Sequence, residues 1–217
     1  MDWHSIYKRN ATAKNELHMK NGYDYLTKDQ YNDMIKELLD DLKLNNTSKV
    51  LDAGCGAGAF SKVVKSYGTT DIYGVDFVKE LVDITTKEIP EGKFYHKSIE
   101  DLSIFEDNTF DYVLSNGVFL YLKLENAKRA LQEFKRVVKP NGIIFIGDVN
   151  DYEKINIYND LRKTTHKKSP DHLHLKKSFF NIDQLQVEKI VDYENTGFKD
   201  VVPTSSYRYG IYLKKNQ

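Results

Sequence analysis

The 217-residue chain has one cysteine, Cys55, so no internal disulfide can form, and this fits a reducing cytoplasm. It has no surplus charge either. Lys and Arg number 32, Asp and Glu also 32, whereas a general nucleic-acid or membrane-surface binder rests on excess basic charge. Long apolar runs are missing as well. MDWHSIYKRNATAKNELHMK at the start holds no stretch that would serve as a secretory signal, and no later segment approaches a membrane span. The expectation is a soluble, cytoplasmic protein with neither nucleic acid nor membrane as partner. No internal repeat or long low-complexity segment interrupts it.

What is present is an alternation of two periods. Residues 1–28 are polar with scattered aromatics and no clear period. Tyr31, Met34, Ile35, Leu38, Leu39 and Leu42 then recur at helical spacing, so 29–42 reads as an amphipathic helix. KVLDA (49–53) reads as a strand. Phe60, Val63, Val64 and Tyr67 give the next helix an apolar face, with Gly68 placed to cap it. Strands follow at 70–76, 93–97, 110–115 and 143–149, with helices at 78–88 and around Ala127 to Val138. Strand and helix alternating in this way imply a parallel sheet covered by helices on both sides. Residues 150–178 break the rhythm as a polar, basic insertion or lid. A helix is expected at about 181–195, and then KDVVPTS and YRYGIYLKK as an antiparallel pair closing one edge.

The turn after the first strand is DAGCGAG (52–58). In a doubly wound sheet ligands bind at the carboxyl ends of the strands, and glycine there lets a ligand approach main chain. A phosphate-cradling P-loop needs Gly-Lys-Ser/Thr, which Gly58-Ala59-Phe60 lacks. A dinucleotide fingerprint spaces its third glycine wider. Asp52 at the strand end suits an ammonium better than a pyrophosphate.

VLDAGCGAG resembles the first motif of the class I S-adenosylmethionine-dependent methyltransferases. GVDF (74–77) is similar to their second acidic motif, DNTFDYVLSNGVFLYL (107–122) to the fourth-strand segment, and LQEFKRVVKPNGIIFIGD (131–148) to the helix, turn and fifth strand. The resemblance covers most of 29–215. It implies an α/β fold, a doubly wound Rossmann-like seven-stranded sheet, mostly parallel with an antiparallel C-terminal edge strand and helices on both faces. Residues 1–217 would form a single methyltransferase domain, with 1–28 as an N-terminal cap. S-adenosyl-L-methionine is the implied cofactor and S-adenosyl-L-homocysteine the product. Carried over residue by residue, Gly54, Gly56 and Gly58 would let backbone approach the cofactor, and Asp52 would lie near its ammonium. Asp76 would accept the ribose hydroxyls and Phe77 pack beside the adenine. Where the family carries an acid for the adenine amino group, this chain has Ser98 and Ile99, with Glu100 and Asp101 behind. Asn116 and Gly117 would line the methyl-transfer side.

Methyl transfer asks for alignment of the acceptor and sometimes removal of a proton. Tyr121, one turn beyond Gly117, is an active-site candidate or a half-buried core tyrosine. Asp148, ending the fifth strand, is a base, an orienting group or a cap. In 162–177 six Lys and Arg and three His face Asp171 alone. That is either a solvated loop or a lid for an anionic acceptor, with Lys167 and Lys168 its binding residues. His172 and His174 share one side of an extended segment and are candidates for proton transfer; no metal is expected, since no cysteine or acid cluster accompanies them. Tyr7, Tyr23 and Tyr25 in the cap can surround an amine by cation–π contact or cover the cofactor. The expected acceptor is a small, polar, anionic metabolite, with nitrogen of a phosphorylated amine favoured and oxygen of a sugar, sugar nucleotide or carboxylate the alternative. An RNA or protein methyltransferase and a non-catalytic cofactor-binding subunit are further readings; the protein would act as a monomer or homodimer.

Overall fold

Side chains of β1 (Lys49–Ala53) alternate between two cores. In the computed structural model, which describes residues 2–13, 15–164 and 172–217, Leu51 and Ala53 enter one core and Val50 the other, as the two-residue strand period requires. β1 lies between β2 (Asp71–Asp76) and β4 (Phe110–Asn116), with β3 (Lys93–His96) outside β2 and β5 (Val138–Asp151) beyond β4. These five are parallel. β8 (Arg208–Lys215) runs antiparallel to β5, and β7 (Leu185–Asp192) antiparallel to β8. The order is β3-β2-β1-β4-β5-β8-β7, and a two-residue strand, β6 (His174–Leu175), pairs with the end of β5. The expected mostly parallel sheet with an antiparallel edge holds.

Helices cover both faces. α3 (Lys28–Leu39) and α4 (Ala59–Ser66) pack with Val50, Ile72, Leu114 and Phe145, while α6 (Leu124–Val137) closes the other face over Leu51, Val113 and Ile144. α3 starts at a capping box. Gln30 N–H donates to Thr27 Oγ1 (3.2 Å) and Thr27 N–H to Gln30 Oε1 (2.9 Å). α5 (Lys79–Glu88) follows β2.

Three segments differ from expectation. Residues 181–195 contain strand β7 rather than a helix. Val187 pairs with Leu213 but Lys189 with Tyr212, so Glu188 is an extra residue in the ladder. Such a bulge breaks the two-residue period and makes Leu185, Val187, Ile190 and Val191 imitate helical spacing. KDVVPTS is then not β8's partner; it forms turns leading into a 3₁₀ helix, Ser205–Tyr207. The N-terminal segment, without clear period in sequence, forms α1 (Trp3–Thr12) and α2 (Leu17–Lys20). α1 carries only Trp3, Tyr7 and Ala11 on its inner stripe, too small an apolar signal to read. Within the insertion, β5 runs on to Asp151 and α7 (Ile155–Thr164) follows.

Candidate active site

β1 and β4 are neighbours whose chain connections leave in opposite directions, and this switch point opens a crevice at their carboxyl ends. The turn from β1 into α4 forms its floor. Gly54 and Gly56 have φ of 93° and 52°, a region that disfavours side chains. A Cβ on Gly54 would overlap Val118 Cγ2, and one on Gly56 would lie 2.7 Å from Asn21 Cγ. Side chains are therefore excluded from both sides of the turn. Asp76, at the end of β2, locks it. Its Oδ2 accepts from Gly56 N–H and its Oδ1 from Val78 N–H, both at 2.9 Å. Burial pushes the Asp76 carboxyl up to about 6, against the pull of these two N–H groups.

A cavity of about 510 Å³ sits above this floor, within the roughly 300–1,000 Å³ usual for small-molecule sites. Of the residues singled out in the sequence, Gly54, Gly56, Asp76 and Phe77 line it from the β1 and β2 ends. Ser98 and Ile99 line it after β3, and Asn116, Gly117 and Tyr121 after β4. Tyr7 and Tyr23 reach it from the N-terminal segment. Tyr25 is not in the lining and is 41% exposed.

Asp52 and Gly58 do not line the cavity. Asp52 points to the α4 face of the sheet, where Ser61 Oγ donates to its Oδ2 at 2.5 Å, and burial pushes its carboxyl up to about 7. Gly58 caps α4 at φ 87°, and a Cβ there would lie 2.9 Å from Thr85 Cγ2. Asp148 also differs from expectation. It is buried and ion-paired with Arg208, it accepts from Tyr23 Oη at 3.0 Å, and Asp151 takes the capping role by accepting from Glu153 N–H. Burial opposes the Arg208 charge, but the Asp148 carboxylate beside it holds the guanidinium protonated, well above its ordinary value. Lys167 and Lys168 lie outside the described residues.

His172 and His174 stand behind the aromatic wall rather than in the lining. The His172 ring stacks on Trp3 (5.3 Å between centroids) and meets Tyr121 edge-on (5.4 Å). Both imidazoles face Tyr158, at 6.1 and 4.5 Å, so the shared side expected from sequence is present. Burial and the nearby Arg208 charge push His172 down to about 4, and burial lowers His174 too, so both are neutral at pH 7.

Sequence reasoning passed over Trp3, Asn21 and Arg208. Trp3 and Tyr7 both pack edge-on against Tyr121, with centroids at 4.3 and 5.5 Å. Asn21 Oδ1 accepts from Ala57 N–H at 2.7 Å, clamping the N-terminal segment onto the glycine turn. The available signals were the i, i+4, i+8 spacing of Trp3, Tyr7 and Ala11 and an Asp2 cap three residues before Ser5, whose N–H it binds. Arg208 had none, because its partner is 60 residues away.

Residues 51–146 match the family described as methyltransferase domain. Phosphoethanolamine N-methyltransferase of Plasmodium falciparum is 30% identical over 123 residues, 56% of this chain and 46% of that protein. Malonyl-[acyl-carrier protein] O-methyltransferase of Buchnera aphidicola is 36% identical over 101 residues, 46% of this chain and 39% of that protein. The chain thus spans about half the length of these curated relatives. Among solved structures, magnesium protoporphyrin IX methyltransferase of Synechocystis PCC 6803 with bound SAH superposes with a TM-score of 0.67 at 13% identity, covering 99% of this chain and 95% of that one; at this identity the likeness speaks for the fold. The family match runs from β1 into β5, so residues 51–146 are similar to a methyltransferase domain, and the sheet around them shares its fold with that solved structure.

Proposed function

We propose that the chain binds S-adenosylmethionine in the cavity and methylates an amine nitrogen of a small polar acceptor. The residues present fit the cofactor. Gly54 and Gly56 offer bare backbone, and Asp76 is a carboxylate at the cavity edge with lone pairs beyond the two already engaged. In this reading Asp76 holds the ribose hydroxyls, Phe77 covers the adenine, and the Ile99 backbone and Ser98 meet its edge. When bound, the cofactor supplies an electrophilic methyl on a positively charged sulfur.

The observation that carries the amine reading is the composition of the lining. Its described residues include the acids Asp2 and Asp76, a Glu100 already paired with Arg129, no Lys or Arg, and the rings of Trp3, Tyr7, Tyr23 and Tyr121. Such a surface favours cationic groups through acids and ring faces. The similarity to a phosphoethanolamine N-methyltransferase supports nitrogen as the acceptor atom. An anionic group on the acceptor has less behind it. The described lysines of the insertion are engaged elsewhere: Lys154 with Glu194, Lys163 with Asp160, Lys176 over the Tyr152 ring and Lys177 with Asp192.

O-methylation is the second reading, favoured by His172. A hydroxyl acceptor must lose its proton, and a neutral imidazole against Tyr121 is a base one ring away from the cavity. Methyl transfer from labelled cofactor to a panel of primary amines, phosphorylated amines, sugars and carboxylates separates the two. Product from amines alone supports the nitrogen reading; product from hydroxyls or carboxylates alone rejects it.

A further inference from the structure

Buried tyrosines usually find a partner for the hydroxyl. Tyr193 Oη accepts from Asp148 N–H at 2.7 Å, and Tyr209 Oη donates to the Leu175 carbonyl at 3.1 Å. Tyr31 is buried as deeply, at 2% exposed, yet its hydroxyl bonds no described residue. The oxygen is not walled in, because the side chain lines the cavity beside Gly56 and Phe60. α3 turns Tyr31 inward with Met34, Ile35 and Leu38, so its helical spacing reads as core. Two rings hold it in place. Tyr23 meets it edge-on with centroids 5.1 Å apart, and His18 stacks on it at 5.5 Å. Burial, aided by the Asp52 and Asp148 charges, pushes the phenol well above its ordinary value, so the proton stays on the oxygen. A fixed O–H donor therefore borders the cavity with no acceptor of its own.

Its place along the cavity says what meets it. Asp76 and Phe77 follow β2, on one side of β1. Tyr31 lies against Tyr23, whose hydroxyl bonds Asn116 at the end of β4 and Asp148 in β5, on the other side. With ribose at Asp76 and adenine at Phe77, the amino-acid end of the cofactor extends across the glycine turn towards Tyr31. α4 starts there too. Phe60, its second residue, lines the cavity, and the Gly58 cap brings no side chain to its first N–H groups. A helix start favours a negative group, and the phenol adds a further donor. An amino-acid end carries an ammonium, which only donates, and a carboxylate, which only accepts. The carboxylate is the match.

We propose that Tyr31 is a cofactor-binding residue whose O–H donates to the carboxylate at the amino-acid end of S-adenosylmethionine. The proposal rests on the methyltransferase reading of the cavity and makes α3 part of the site as well as of the core.

The test is calorimetry on the unaltered chain and on Tyr31→Phe with three ligands. S-adenosylhomocysteine has the carboxylate, its decarboxylated analogue S-adenosyl-3-thiopropylamine keeps only the ammonium, and 5′-methylthioadenosine lacks the whole amino-acid end. Tyr31→Phe is expected to weaken S-adenosylhomocysteine at least about tenfold, as loss of a hydrogen bond to a charged group does, and to leave the other two ligands unchanged. The ligand-free variant is expected to melt no lower than the unaltered protein, because the deleted hydroxyl had no partner. Unchanged S-adenosylhomocysteine affinity overturns the assignment. So does equal weakening of S-adenosylhomocysteine and either reference ligand, and a lower melting temperature beside it would mark the hydroxyl as structural. Failure of S-adenosylhomocysteine to bind the unaltered protein is a different result, because it removes the methyltransferase reading on which the assignment rests.

Discussion

Single carboxylates sit in different surroundings, and these surroundings separate Asp76 from Asp52. Asp76 borders the cavity, and its pKa of about 6 comes from burial. Below that value it takes a proton and loses an acceptor site, so ligand binding that uses the carboxylate weakens as pH falls. S-adenosylhomocysteine affinity is expected to be flat from pH 7 to 8 and to drop through pH 6, by up to about tenfold per unit. An affinity unchanged down to pH 5 would count against the assigned role of Asp76. Asp52 bears on stability instead. Its pKa rises from 3.8 to about 7 in the folded chain, so folding favours its neutral form. That contribution is present below pH 4 and lost as pH rises through 7. Asp52→Asn keeps an acceptor for Ser61, and should melt higher than the unaltered protein at pH 8 but not at pH 4; equal melting temperatures at pH 8 would disprove the sign. Motif position alone identified Asp76, Gly54 and Gly56 as candidates, because the turn that needs them is local. Arg208 and Asn21 were illegible since the contacts that define them join distant parts of the chain.

At the scale of elements, the N-terminal helices act as a strap over the glycine turn. The Lys20 ammonium is buried and donates to the carbonyls of Asn10, Ala11 and Ala13 at the end of α1. It satisfies acceptors that a helix terminus leaves open and opposes their partial negative charge. Asn21, the next residue, holds the strap to Ala57 N–H. Lys20→Met should speed amide exchange across residues 3–12 by at least about fivefold, on the order of 1 kcal/mol, while β1 exchange stays unchanged. Uniform acceleration in both would mean that the lysine supports the whole fold and not the strap. Elements with strong periods, such as α3, β1 and α6, were legible in sequence because each buries one clean face. β7 was not, since Glu188 shifts its register and hides the strand period. α1 was not, since its inner face divides between aromatics at the cavity wall and Ala11 on a small core with Ala57, Val78 and Leu81.

Over the whole molecule, the strand order explains why the site lies where it does. The switch between β1 and β4 places the glycine turn, Asp76 and the segment after β4 around one crevice, and two separate cores hold the sheet rigid beneath it. No described helix is long and apolar enough to cross a membrane. On the proposed function, the crevice takes the methyl donor and the aromatic strap faces the acceptor. Isothermal calorimetry with S-adenosylhomocysteine, on the unaltered protein and on Asp76→Ala, tests this most directly. The account predicts saturable one-to-one binding that weakens at least about tenfold in the variant. No measurable binding to the unaltered protein, or equal affinity in Asp76→Ala, would contradict it.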